Sequence, residues 1–136
     1  MAYGIKVSPV ANRRRRMEGL LDSIEKSILF LEARHGEWLH FAYRWAELVA
    51  LELEPDTLVT ENDRERVDLL RSRVDSVFTR WVVNRYASLI SLPPVPPVML
   101  HHIPRFLVRG IGGDGRAKIA FLLVDGLALE QWIVLR

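Results

Sequence analysis

KIAFLLVDGLALEQWIVLR, Lys118 to Arg136, is the stretch on which the fold turns. Ile119 to Val124 is a continuous apolar run, the pattern of a strand buried on both faces. Asp125-Gly126 closes it as a turn signal. Leu127 to Leu135 follows with helix formers, and Leu129, Trp132 and Ile133 can form one inward face. The reading is strand, turn, helix, the first half of a parallel crossover unit. An aspartate at the carboxyl end of such a strand sits where open α/β sheets bind ligands, and its oxygens suit a hard cation. Asp also caps helices and Asp-Gly makes common turns, so the spacing leaves both roles of Asp125 open.

Upstream, Gly110 to Gly115 reads as a flexible turn, since its glycines lack the spacing of a phosphate cradle. Val98 to Val108 reads as a short strand or hairpin arm, kept to an edge by Pro104. His101 and His102 are adjacent, so on a strand they point to opposite faces and cannot share one ion. One can face a cleft together with Arg105. Pro93-Pro94-Val95-Pro96-Pro97 is a rigid connector.

Before the prolines the period is helical. Met17, Leu20, Leu21, Ile24, Ile28 and Leu31 make one stripe, and Trp38, Phe41, Trp45, Leu48 and Val49 continue it. The phase carries through His35 and Gly36, which leans toward one long helix over two and leaves both open. It ends near Glu54-Pro55, because the residue before proline is pushed out of the helical region. A further helix runs to about Ser91, with Asn62 and Glu65 as its capping pair and Val67, Leu70, Val74, Val77, Phe78, Trp81 and Leu89 as its stripe. The aromatic residues are spaced as core. Arg13, Arg14, Arg15 and Arg16 form a basic run that could touch nucleic acid, although a solvated helical turn is the plainer reading. Met1 to Asn12, with Pro9 as a breaker, is expected to be flexible.

The composition sets outer limits. The 136 residues amount to one domain or less, and 49% hydrophobic content is ample for a core. The chain has no cysteine, which excludes disulfides and thiolate metal sites and fits a reducing cytoplasm. The net charge is +2, too small for a uniformly basic surface. No apolar run approaches the roughly 20 residues of a membrane span, and no signal-peptide pattern opens the sequence. The expectation is a soluble cytoplasmic protein.

PPVPPVMLHHIPRFL, Pro93 to Leu107, followed by Lys118 to Arg136, resembles the region entering the PglZ domain of BREX phage-defence proteins. Phe78-Thr79-Arg80-Trp81 and Tyr86 are similar to the segment that precedes that domain. The resemblance implies an alkaline-phosphatase-like α/β sheet, usually two divalent metals (zinc, manganese or magnesium), and phosphohydrolase activity in phage defence. It maps the first metal-binding aspartate of that family onto Asp125. The family's nucleophile and other ligands lie beyond this motif, so the chain alone is expected to be an inactive, truncated fragment.

The expected fold class is therefore α+β. Residues 13–91 would form an antiparallel helical hairpin or bundle, 92–117 a connector with a short strand or hairpin, and 118–136 the first strand-helix unit of a phosphatase-like domain. Expected partners are other phage-defence proteins, nucleic acid, or a second copy pairing through an exposed strand. The rival reading is a helical interaction module with no catalytic role, which an exposed apolar stripe would favour.

Overall fold

The computed structural model describes residues 8–27, 32–111 and 118–136. Its elements are α1 (Pro9–Lys26), α2 (His35–Leu53), α3 (Glu61–Ile90), α4 (Ile103–Ile111) and α5 (Leu129–Leu135). Single 3-10 turns sit at Pro55–Thr57 and Leu100–His102. Among the described residues there is no strand, so the α+β expectation is overturned and the fold is helical. The expectations for residues 1–7, for Ile28 and Leu31, and for Gly112 to Gly115 of the expected turn lie outside the described residues, while Gly110 and Ile111 of that turn belong to α4.

Helices α1, α2 and α3 bury the stripes that their periodicity announces. Met17, Leu20, Leu21 and Ile24 of α1 meet Trp38, Phe41 and Leu48 of α2 and Val67, Leu70, Val74 and Trp81 of α3. Removing this much apolar surface from water is the main stabilising term. Aromatic residues interlock along it, with Trp38, Phe41 and Trp81 buried and Phe78 at the edge, 42% exposed. Trp38 lies edge-on to Phe41 at 5.6 Å and to Phe78 at 4.9 Å, and Phe78 stacks on Trp81 at 5.8 Å. Trp81 also donates its indole N–H to the Ala33 carbonyl at 2.6 Å, which pins the loop between α1 and α2. Trp38, Phe41 and Trp81 are core, as their spacing indicates, while Phe78 lies at its margin.

Three local expectations change. The stripe that keeps phase across Gly36 is carried by two helices, because α1 stops at Lys26 and α2 starts at His35. Arg34 is extended there, and its backbone N–H donates to Glu37 at 2.7 Å, closing the new amino terminus. Pro9 opens α1 instead of blocking it, since a first-turn proline gives up only an N–H that has no helical partner. The cap of α3 is Thr60 with Asp63, two residues before the expected Asn62 and Glu65. The Asp63 N–H donates to the Thr60 hydroxyl at 3.3 Å and the Thr60 N–H donates to the Asp63 carboxylate at 2.9 Å.

The largest corrections fall after the prolines. Val98 to Val108 is not a strand or hairpin arm; it holds the Leu100–His102 turn and α4. Pro104 is in the first turn of α4, where its fixed φ suits a helix. Lys118 to Val124 takes no regular structure, and among the described residues none of its backbone groups has a hydrogen-bond partner. A lone strand has no ladder to complete, so the apolar run alone cannot make one. Helix α5 does form, and it packs on α2. Glu130, Gln131 and Val134 share a shallow cleft with Ala50, Leu53 and Glu54, while the Arg136 guanidinium lies 5.7 Å from the Tyr43 ring centre. The two helices therefore run antiparallel. No helix among the described residues is long and apolar enough to cross a membrane.

Candidate functional site

The basic run lies on the first half of α1, and three of its four guanidiniums are paired at the surface with carboxylates of the chain itself. Arg13 reaches Asp56 at 3.5 Å and Glu54 at 3.9 Å. Arg14 donates to Glu18 at 2.7 Å, to the Leu58 carbonyl at 2.9 Å and to Asp63 at 2.5 Å. Arg16 makes a two-pronged contact with Glu47 at 2.6 and 2.8 Å. Hydrogen bonds from Arg16, helped by the charges of Arg16 and Arg136, hold the Glu47 carboxyl below the usual range although partial burial opposes them. Arg15 alone of the four is without an ion-pair partner among the described residues. The run ties α1 to its neighbours more than it faces solvent.

His101 and His102 serve the chain's own backbone. His102 is buried at 2% exposure, and its Nδ1 accepts the N–H groups of Val98 at 3.2 Å and Met99 at 3.3 Å. That requires the hydrogen on Nε2, which faces the Ile90 carbonyl at 3.4 Å. His101 is exposed and reaches the same carbonyl at 3.3 Å. The two rings thus fasten the Leu100–His102 turn to the end of α3. Arg105 lies apart from them. With Arg109, Pro94, Pro104 and Val108 it lines an open depression of about 430 Å³.

Asp125 is exposed at the end of the irregular apolar segment, just before Gly126. Gly126 has φ +72°, the left-handed region in which glycine is at ease. Asp125 does not cap α5; the N–H of Ala128 is met by the Gln131 side chain at 2.9 Å. Among the described residues no three His, Asp or Glu side chains converge as a cation would need. A lone carboxylate does not hold a catalytic metal pair, so these residues by themselves do not fit the centre the resemblance implies. The structure brings His101 and His102 together at the Ile90 carbonyl, and joins neither Asp125 nor Arg105 to them.

The far half of α3 carries a feature that the core stripe does not reveal. Val83, Tyr86 and Ile90 recur at helical spacing and are 78%, 52% and 50% exposed. They stand on a different face from Val74, Phe78 and Trp81, so a stripe traced for the core alone misses them. A helix apolar on two sides was the available signal. Arg80 borders this face, while Arg85 falls on the side of the helix that carries Val74, Phe78 and Trp81. From residue 76 to 111 the sequence holds four arginines and no acidic residue. By contrast, the ion pairs among the described residues draw their arginines from residues 13 to 71. Six arginines between residues 13 and 71 are paired with carboxylates, and the segment from the second half of α3 into α4 is basic.

No family model, curated protein or solved structure matches this chain.

Proposed function

We propose that the chain is a helical protein-interaction module whose docking face is the second half of α3. The observation that carries this is the exposed stripe of Val83, Tyr86 and Ile90 on the last turns of α3, where past the buried Trp81 only Val82 and Leu89 are half-buried against the core. An apolar stripe at i, i+3 and i+7 is the anchor pattern by which one helix receives another. Large exposed apolar surface of this kind marks contact sites. Arg80 at its margin favours a partner with a carboxylate at the rim. The test is a photo-crosslinking side chain at position 86 in the cells that make the protein. A discrete adduct that disappears with Val83→Asp supports the reading; adducts that are absent, or indifferent to Val83→Asp, sink it.

A second reading is part of a PglZ-like metal-dependent phosphohydrolase, to which Asp125 contributes one metal ligand and other polypeptide the rest. The exposure of Asp125 beyond an apolar segment without backbone partners favours it. Divalent-metal affinity of the assembled protein, compared with Asp125→Ala, decides the matter. Equal affinity removes Asp125 from the ligand set.

A further inference from the structure

We infer that Arg105 and Arg109 form a receptor for an extended acidic peptide carrying two carboxylates two positions apart. The inference rests on the interaction reading above and names a second contact for it, separate from the α3 stripe.

Arg105 and Arg109 are one turn apart on α4, both exposed, and both line the depression of about 430 Å³. Neither has a carboxylate partner among the described residues. Like charges at this spacing on a helix repel each other, and nothing acidic between residues 76 and 111 relieves them. Elsewhere the fold does the reverse: Arg66, for example, bridges Asp22 at 2.7 Å and Glu25 at 2.8 Å. Without a carboxylate partner among the described residues, the pair offers a field to an anion from outside.

Spacing selects the kind of anion. Four residues of helix advance about 6 Å, which sets the separation of the two guanidinium stems. Side chains two apart on an extended chain lie on one side, about 6.7 Å from each other. Two such carboxylates can each take a forked guanidinium contact. Pro94, Pro104 and Val108 give the depression an apolar floor against which the peptide backbone and methylene groups can lie. The site is an open depression and not an enclosed cavity, which suits a passing chain better than a small molecule.

The experiment uses the whole chain and fluorescence anisotropy of a labelled peptide with two glutamates separated by one valine. A control peptide has the two glutamates adjacent. Binding is expected to favour the spaced peptide and to weaken about tenfold in Arg105→Glu or Arg109→Glu, the loss of one good charged contact. Arg15→Glu, an exposed charge outside the depression, is expected to leave it within about twofold. Four outcomes overturn the proposal. Equal binding of the two peptides means general charge attraction, as does an equal loss in Arg15→Glu. Tighter binding of labelled oligothymidylate, lost in Arg105→Glu and Arg109→Glu, makes the site one for nucleic acid. No binding of the spaced peptide removes the site, while the crosslink at position 86 still judges the α3 face on its own.

Discussion

Arg14 Nη1 donates a 2.5 Å hydrogen bond to Asp63 Oδ2 and so joins the first helix to the cap of the third. The same oxygen accepts the Thr60 hydroxyl at 2.5 Å and the Thr60 backbone N–H at 2.9 Å. Asp63 is only 3% exposed. One carboxylate therefore serves as cap and as interhelical tie at once.

Asp63→Asn is expected to cost about 3 kcal/mol at pH 7, because it leaves a guanidinium and a cap without their anion. Burial works to raise the Asp63 pKa, but the Thr60 hydroxyl, the Thr60 backbone and Arg14 more than offset it and hold the carboxyl below its usual range. A folded-state value below the unfolded one contributes stability that is complete above about pH 4 and lost as pH falls through the folded value. Urea titrations of wild type and Asp63→Asn should thus differ most near neutrality and converge in acid. A gap that stays constant down to pH 2 contradicts this assignment.

Trp81→Ala is expected to destabilise the protein by about 4 kcal/mol, within the range for a buried aromatic cut to alanine. Trp81→Phe should cost about 1–3 kcal/mol, since it keeps much of the ring but orphans the Ala33 carbonyl. The ring is 4% exposed and its indole N–H is the link between α3 and that carbonyl. Thermal melts of the two variants test the order; a Phe variant as unstable as the Ala variant would shift the weight from packing to the hydrogen bond.

His102→Ala should free the segment from Val98 through α4 without unfolding the core. It removes the acceptor for two backbone N–H groups and the contact to Ile90. Hydrogen exchange at Val98 and Met99 is expected to quicken by an amount equivalent to about 1–3 kcal/mol. Protection in α1 and α2 should not move, and a uniform loss across the chain would show that the turn is part of the core's cooperative unit.

Two positions with positive φ should respond in opposite directions. Leu58 has φ 55° and is 67% exposed, so Leu58→Asn relieves a left-handed conformation that leucine dislikes and should stabilise by up to about 1 kcal/mol. Gly126 has φ 72°, and a methyl group added there would find nothing within 4 Å. Gly126→Ala therefore meets no clash and suffers only backbone strain, about 1 kcal/mol. Chemical denaturation of each variant reads the sign directly.

Most of the helical region was legible in the residues. The stripes of α1, α2 and α3, the stop before Pro55 and the end of α3 near Ser91 follow from periodicity and proline chemistry, which act within a turn or two of chain. The break between α1 and α2 was less legible, because the apolar phase survives it. Val98 to Val108 misled, since Pro104 marks a strand edge and a helix start equally well, and the buried contacts of His102 decide between them. Of the candidate site residues, adjacency on a strand was the wrong frame for His101 and His102, which share the Ile90 carbonyl.

What the sequence determined by itself is that residues 13–91 are helical and which faces of α1 to α3 carry the core stripe, because side-chain period is local. Which arginines are neutralised depends on residues as far apart as Arg14 and Asp63, and only the packed helices bring those together. The same holds for the run from Ile119 to Val124. Its composition prepares it for a ladder, but a ladder needs a second backbone, and the tertiary structure supplies none among the described residues. Helices satisfy their own hydrogen bonds and so could be read from one stretch at a time; strands depend on a neighbour that no single stretch contains.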